Sequence, residues 1–393
     1  MNELNATLRR LGSNEFELRP LGEVGVFTRG RRFTKADYVD SGLPSIHYGE
    51  IYTTFKTVAS AAERFVRPEL ENSLRLAKKG DVIIAATGES VAEVGKAVAW
   101  LGDESIAVHD DCYVFTSRLL DPIFTSYYFQ SRHFHDQKRR LTSESKLARI
   151  SGASLASILV PVPPVEVQVE LVSVLSDLEN LESALRSQLE LEIEARRRQY
   201  EVYRDAILSF ERERERERVR LSEVVELKAG QFIRAAEIAS APSPRFEVPC
   251  FGGGKLRGFV RHPTHSTSHS LIGRQGALCG DVRYVEGPFY ATEHAIVVTP
   301  REGVDARWTY HVLKAMHLNR HASRSAQPGL SVEKLNALPV QLPPVEEQQR
   351  IAAVLDAMDL ALHQLLVILF AEIAARRKQY EYYRDRLLAF EPA

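Results

Sequence analysis

Arg196-Arg197-Arg198-Gln199-Tyr200-Glu201-Val202-Tyr203-Arg204-Asp205 returns as Arg376-Arg377-Lys378-Gln379-Tyr380-Glu381-Tyr382-Tyr383-Arg384-Asp385, 180 positions later. Followed outward, the copy covers residues 150–211 and 330–391, with 26 of 62 positions identical and no gap. A gapless offset of that length marks an internal duplication. It divides the 393-residue chain into two half-molecules, each a variable block followed by a repeated one. A chain built that way reads two things and holds them at a fixed distance.

Each repeated block opens on prolines, Val160-Pro161-Val162-Pro163-Pro164-Val165-Glu166-Val167-Gln168 and Val340-Gln341-Leu342-Pro343-Pro344-Val345-Glu346-Glu347-Gln348. Proline fits just before a helix or in its first turn, and acids suit the positive end that follows. Helical spacing then continues without Pro or Gly. The first apolar stripe is Leu171, Leu175, Leu178, Leu181, Leu185, Leu189, Ile193, Tyr200, Tyr203, Ile207, Phe210. The second is Ile351, Leu355, Met358, Ala361, Leu365, Leu369, Ile373, Tyr380, Tyr383, Leu387, Phe390. Steps of three and four predict two coiled-coil-like helices of about 40 residues, about 60 Å each. Amphipathic helices of that length must bury their stripes. Antiparallel pairing of the two copies, with a pseudo-two-fold repeat, is the favoured arrangement; docking on another subunit is the second. The alternating run Glu211 to Arg218 reads as a solvated linker or helix extension, because its i,i+4 pairs are like-charged.

The expected class is α+β: two mixed α/β domains separated by two long antiparallel helices. The boundaries are a segment 1–17, a first block 18–164, a helix and charged linker 165–219, a second block 220–344 and a final helix 345–393. Both blocks carry short β-like runs, among them Asp81-Val82-Ile83-Ile84-Ala85-Ala86 and His294-Ala295-Ile296-Val297-Val298-Thr299. Both begin alike, Leu21-Gly22-Glu23-Val24 and Leu221-Ser222-Glu223-Val224, and then diverge. Duplication followed by divergence of one part marks the helices as scaffold and the blocks as the source of specificity.

The net charge of −1 hides a partition: +2 over 18–164 and +5 over 220–341, against −5 over 165–219 and −2 over 342–393. Basic blocks are permissive for nucleic acid. Three cysteines without a CxxC pattern fit a reducing cytoplasm and no zinc framework. Met1 to Arg10 has no signal-peptide pattern. The most apolar run, Leu360 to Ala375, is read as too short and too polar to span a membrane.

No GxxxxGK[ST] loop, GxSxG elbow or HExxH helix occurs. The prolines are not an amino-methyltransferase Asn/Asp-Pro-Pro-aromatic motif, and no catalytic residues are assigned. His262, His265 and His269 lie in a Pro/Thr/Ser loop without a nearby Cys and read as solvated or phosphate-facing, so no metal site is expected. Loops that join small residues to cations are the candidate ligand contacts. In the first block these are Arg29, Arg31, Arg32 and Lys35, then Thr87 and Ser90 with Lys96, then Ser143 and Lys146. In the second they are Lys255 and Arg257 after Gly252-Gly253-Gly254, then Arg274 and Gln275, aligned with Ala86 and Thr87, then Arg324, Ser325 and Gln327. Arg and Gln read guanine and adenine edges, whereas Lys and hydroxyls suit phosphates.

At this point the whole chain resembles the specificity subunit of type I restriction–modification systems. The resemblance rests on the order block, helix, block, helix, and on the repeated Val-x-x-Pro-Pro-x-Glu-x-Gln boundary. It rests also on Gly80-Asp81-Val82-Ile83-Ile84-Ala85-Ala86-Thr87-Gly88 and on Ile272-Gly273-Arg274-Gln275-Gly276. The second block is shorter than the first by about 20 residues. The resemblance implies two target-recognition domains, each reading one half of a split site in double-stranded DNA. It implies helices that set the spacing and dock two methyltransferase subunits, with restriction subunits joining later. The chain itself would be non-catalytic and hold no cofactor; S-adenosylmethionine, ATP and magnesium would belong to the partners. A non-DNA-reading coiled-coil scaffold, or the specificity subunit of a related fused restriction–methylation enzyme, are the alternatives.

Overall fold

A computed structural model describes residues 15–144, 147–210, 218–323, 328–389 and 391–392. The chain divides into two compact units, residues 1–188 with 372–393, and residues 189–371. Each unit contains one variable block and part of each long helix. The helices are α1, Val165–Phe210, and α2, Val345–Leu387. The run Glu211 to Glu217 lies outside the described residues.

The first unit is built on the strands β1 (Gly25–Arg29), β2 (Val82–Ala85), β3 (Ala97–Trp100) and β4 (Cys112–Ser117). They pair in the order β1-β4-β2-β3, with Val58–Ala59 on the far edge. β2 reads as a continuous apolar run because both its faces are buried, and side chains alternate between faces along a strand. Val82 and Ile84 enter a core with Phe115, Leu171 and Leu175. Ile83 and Ala85 enter a second core with Val98, Trp100 and Val114. Another five-stranded sheet, centred on Leu43–Ile46, completes the block.

In the second unit β5 (Val225–Ala229), β6 (His269–Gly273), β7 (Val282–Val285) and β8 (Ala295–Pro300) pair in the order β5-β8-β6-β7, which repeats the first sheet. The accessory sheet has only three strands, Val248–Gly252, Lys255–Val260 and Tyr290–Ala291. That is where the second block is shorter.

Within each unit the helix segments run antiparallel. In the first, Leu171 and Leu175 share a core with Leu387 and Leu388, while further along α1 Glu179 and Glu182 face Tyr380. Burial, with those carboxylates nearby, holds the Tyr380 phenol above its usual range. In the second unit Ile207 and Leu208 pack on the core of Ile351 and Leu355, and Asp359 faces Tyr200. The copied decapeptide makes the same local contacts twice. Arg196 donates to Glu192 and Gln199, and Arg376 to Glu372 and Gln379. Arg204 is buried against Asp205 at 2.8 Å and lies over Tyr200; Arg384 repeats this with Asp385 and Tyr380.

The stripes differ from the spacing-based expectation at three of the described positions. Leu181, its copy Ala361, and Tyr203, placed on the seam, are exposed, while Glu182 and Arg204 are buried. A strict three-and-four count follows an ideal helix surface, whereas here the domains cover part of each helix as well. The reading of Leu360 to Ala375 as too short and too polar is also corrected. That run lies inside the 43 residues of α2, which is long and apolar enough to cross a membrane by length and composition, with a mean hydropathy of 1.8 over 18 residues. The ends of the same helix pack into the two cores through Ile351, Leu355 and Leu387.

Each proline boundary is locked by its glutamine. Gln168 is fully buried. Its Oε1 accepts from the Asp121 backbone N–H at 2.6 Å, and its Nε2 donates to the carbonyls of Leu119 and Pro163. Asp121 in turn caps the helix Pro122–Tyr128 through Ile123 and Phe124. Gln348 repeats the clamp: Oε1 accepts from Asp305 N–H at 2.8 Å and Nε2 donates to Gly303 and Pro343. Asp305 caps Ala306–Ala315 through Trp308. Removing such a side chain strands buried backbone groups at about 1–3 kcal/mol each. Gln168→Ala and Gln348→Ala should therefore each destabilise the protein by about 2–5 kcal/mol, read by urea unfolding. The exposed neighbour change Glu166→Ala should cost about 0.5 kcal/mol or less. Equal effects at Gln168 and Glu166 would refute the clamp.

Candidate nucleic-acid interface

Strand register fixes which residues of the two blocks correspond. β4 pairs with β2 as Phe115 with Val82 and Cys112 with Ala85; β8 pairs with β6 as Val298 with Ser270 and Ala295 with Gly273. Ala85-Ala86-Thr87-Gly88 therefore occupies the place of Gly273-Arg274-Gln275-Gly276, and Asp111 that of His294. Backbone bonds repeat at the strand exit. Ala86 N–H donates to Asp111 and Arg274 N–H to His294; Ile150 N–H donates to Ala86 and Leu330 N–H to Arg274. Gly30 and Gly230 occupy one further shared position. A Cβ at either would lie 2.0–2.3 Å from a backbone oxygen, of His109 or Ala291, so only glycine fits.

The side chains on this frame differ. In the first block Thr87 is buried and its hydroxyl donates to Asp111 Oδ1 at 3.2 Å. Asp111 Oδ2 lies 3.3 Å from His109 Nδ1 and 3.9 Å from His47 Nε2. His109 Nε2 is 3.1 Å from the Phe33 carbonyl. The ligand atoms of His47, His109 and Asp111 are close enough together to hold a metal ion. However, His47 Nδ1 accepts from Gly49 N–H, which puts the ring proton on Nε2, facing Asp111. Asp111 is held by the Thr87 hydroxyl on its carboxylate and by its own N–H, which donates to His109 Nδ1 at 3.3 Å. In the second block Gln275 Oε1 and His294 Nδ1 are 2.9 Å apart, and His294 Nε2 is 3.2 Å from Glu293 Oε1.

The cations expected from sequence are placed as follows. Arg29 donates to the Asp110 carbonyl and Arg31 to that of Ser73; Arg32 and Lys35 are exposed. Lys255 and Arg257 are exposed on their strand. Arg274 is half-buried, with Nη1 3.5 Å from the Glu293 carbonyl. Ser90 accepts from Glu93 N–H, and Ser143 donates to the Arg149 carbonyl across a short hairpin. Lys146, Arg324, Ser325 and Gln327 lie outside the described residues.

Two expectations are corrected. Thr87 is turned inward onto Asp111, so its hydroxyl is not free for a phosphate. Lys96 is half-buried, donates to the Tyr52 carbonyl, and is pushed below its usual pKa by burial and by Arg377. Gly253 and Gly254, with φ of 57° and 93°, form the two-residue turn of a β-hairpin. That turn reaches the site, since Gly253 N–H donates to the His294 carbonyl. His265 is stacked flat on Phe289 at 5.1 Å, so it belongs to an aromatic packing group.

Sequence reasoning missed His109 and Asp111, which share a turn, His47, which joins them from a distant segment, and His294 in the second block. It also missed Phe232, the most exposed large apolar side chain among the described residues at 73%, on the shared loop after Gly230. The offset of 200 that relates Leu21 to Leu221 also relates Arg32 to Phe232 and would have found it. Lys138 was missed as well. It is buried and donates to the carbonyls of Ala92 and Val94, which holds the loop between Thr87 and Lys96.

The family model described as "Type I restriction modification DNA specificity domain" matches residues 13–195 and 213–367. The chain belongs to this family. The specificity subunit of the type I restriction enzyme EcoprrI from Escherichia coli is 42% identical over 229 residues, covering 56% of this chain and 57% of that protein. The EcoR124I/EcoR124II specificity subunit, also from Escherichia coli, is 28% identical over 61% of this chain and 65% of that protein. The matched region thus spans less than two-thirds of the length of these relatives. In fold, the chain superposes on a chain from a study of complex assembly and conformational transition of a type I system with a TM-score of 0.71 at 18% identity, covering 95% of this chain and 97% of that one. The HsdS subunit from Thermoanaerobacter tengcongensis gives 0.50 at 18% identity, covering 95% and 96%. Two specificity domains and long helices are therefore the shared architecture of the family and of this member.

Burial pushes the Lys138 ammonium down to about 8, with Arg139 adding to the effect. Because the folded value lies below the unfolded one, near 10.4, the unfolded chain binds more protons between about pH 8 and 10.4. Stability from this group therefore rises with pH across that window. Unfolding midpoints of Lys138→Met, compared with wild type from pH 7 to 10, should lack this rise; parallel curves would contradict it.

Proposed function

We propose that this chain is the sequence-reading subunit of a type I restriction–modification complex. Each domain reads one half of a bipartite, non-palindromic site in duplex DNA, and the two long helices set the spacing. The observation that carries this reading is one frame present twice with different side chains at the same exits: Thr87 and Asp111 against Gln275 and His294. A homodimeric reader would present one set twice and favour a palindrome. Readers on one face of B-DNA place half-site centres about 10 base pairs apart.

The helices supply the docking surface for two methyltransferase subunits, and restriction subunits complete the assembly. Support comes from apolar side chains exposed on them, Leu181 in the first unit and Leu191, Leu360, Val367, Ile368 and Phe370 in the second. Contiguous exposed apolar surface marks interaction sites. On this reading the apolar middle of α2 meets protein, and the chain works in the cytoplasm. The chain is not catalytic; S-adenosylmethionine, ATP and magnesium are bound by the partner subunits. A net charge of −1 neutralises few phosphates, so the isolated chain binds DNA weakly and the partners add backbone contacts.

Modified-base sequencing of host DNA with and without this gene, the methyltransferase present in both, tests the reading. Methylation at a split motif should vanish with the gene. Arg274→Ala should relax one half-site by about 10- to 100-fold in discrimination and leave the other intact. An unchanged methylome with an assembled complex would favour the coiled-coil scaffold instead.

A further inference from the structure

The two blocks keep identical residues where a residue holds the frame. Gln168 and Gln348 clamp the boundaries, Asp121 and Asp305 cap the helices beyond them, and Gly30 and Gly230 fill positions with no room for a side chain. At the strand exit the frame is equally well preserved in its backbone bonds, yet the chemistry on it changes. Thr87 is replaced by Gln275, and Asp111 by His294. In each block these two side chains bond each other across the exit, at 3.2 Å and 2.9 Å. The fold does not require either pair, because the other pair builds the same frame. A position that is structurally fixed and chemically free is where a ligand sets the residue.

We propose that Thr87–Asp111 and Gln275–His294 are buttressed base-reading pairs, one for each half-site; this rests on the DNA-reading function above. In each pair one side chain positions the other. Thr87 is buried and holds Asp111, which is partly exposed and whose backbone N–H is held in turn by His109 Nδ1 at 3.3 Å. A carboxylate offers acceptors only, so Asp111 takes the cytosine N4 or adenine N6 amine in the major groove. Gln275 is exposed and held through Oε1 by His294, itself paired with Glu293. Its amide keeps a donor beside an acceptor with a spare lone pair, the set that pairs with adenine N6 and N7. Holding both readers in place before DNA arrives lowers the ordering cost of binding. Arg274, adjacent on the same exit, is the neighbouring cation.

The test uses the complete complex carrying variant chains. Gln275→Ala should make one A·T position degenerate in one half-site, with about a 10- to 100-fold loss of discrimination there. Asp111→Asn, which replaces one acceptor oxygen by a donor, should change the base accepted at one position of the other half-site. Base preference at all other positions should stay as in wild type. Selection of bound duplexes from a randomised library reads the same preferences without methylation turnover. If Asp111→Asn does not assemble, Gln275→Ala, whose side chain faces solvent, decides alone. Wild-type stringency at every position in Gln275→Ala, or equal relaxation of both half-sites, would overturn the proposal. A methylome that does not change when the whole gene is removed would instead refute DNA reading itself.

Discussion

The buried amide of a single glutamine, used twice, is the constraint on which the architecture depends. Proline at the boundary removes a backbone donor and restricts the residue before it, which ends the edge strand and opens the helix. That leaves a rigid corner whose polar groups must still be satisfied, since buried backbone groups without partners are costly. Gln168 and Gln348 satisfy groups on both sides of the corner at once, one from the proline turn and two from the domain. Shorter or charged side chains cannot give one acceptor and two donor bonds with this reach. The direction in which each helix leaves its domain is therefore set by hydrogen-bond geometry rather than by apolar packing, which is non-directional.

Duplication explains why that geometry occurs twice, and divergence shows which parts of it matter. The sheets keep strand order and register even though their sequences have separated, because register is held by which faces are buried. A one-residue slip of β2 or β6 would move Ile84 or Ile272 out of its core. Exposed exits are under no such constraint. Arg32 and Phe232, Thr87 and Gln275, and Asp111 and His294 show how far side chains move apart when only the backbone is held.

Much of the fold was legible in the sequence because it is written in local, periodic signals. The repeated decapeptide, the proline boundaries and the helical spacing gave the two long helices. β2 was recognisable as a short apolar run. The site was less legible for a geometric reason. His47 and His109 leave adjacent strands of one accessory sheet and Asp111 lies in the turn after His109, and no spacing rule links position 47 to position 109. Thr87 and Lys96 carry the groups that phosphate contacts use, but burial commits them to Asp111 and to the Tyr52 carbonyl. The seam positions Leu181 and Tyr203 failed for a related reason, since periodicity locates a helix face without saying what covers it.

The joints beside the two clamps show what the frame leaves free. In the second unit Arg307 forms a bidentate pair with Asp356, stacks over Tyr284, and has His311 bonded to the same carboxylate at 2.7 Å. Burial opposes the charge on Asp356, but the bonds from Arg307 and His311 outweigh it and hold the carboxyl below its usual range. In the first unit the corresponding positions are Ile123, Ser176 and Tyr127, and the joint is made by the Tyr127 hydroxyl donating to Glu179 at 2.7 Å, with Ser176 beside it. A half-buried ion pair and a hydroxyl-to-carboxylate hydrogen bond can be close in net stability, because desolvation offsets most of the Coulombic gain of the ion pair. Exchange between them therefore costs little as long as the angle of the helix is set elsewhere. The glutamine clamps set it, so the flank of each joint could diverge as freely as the base-reading exits.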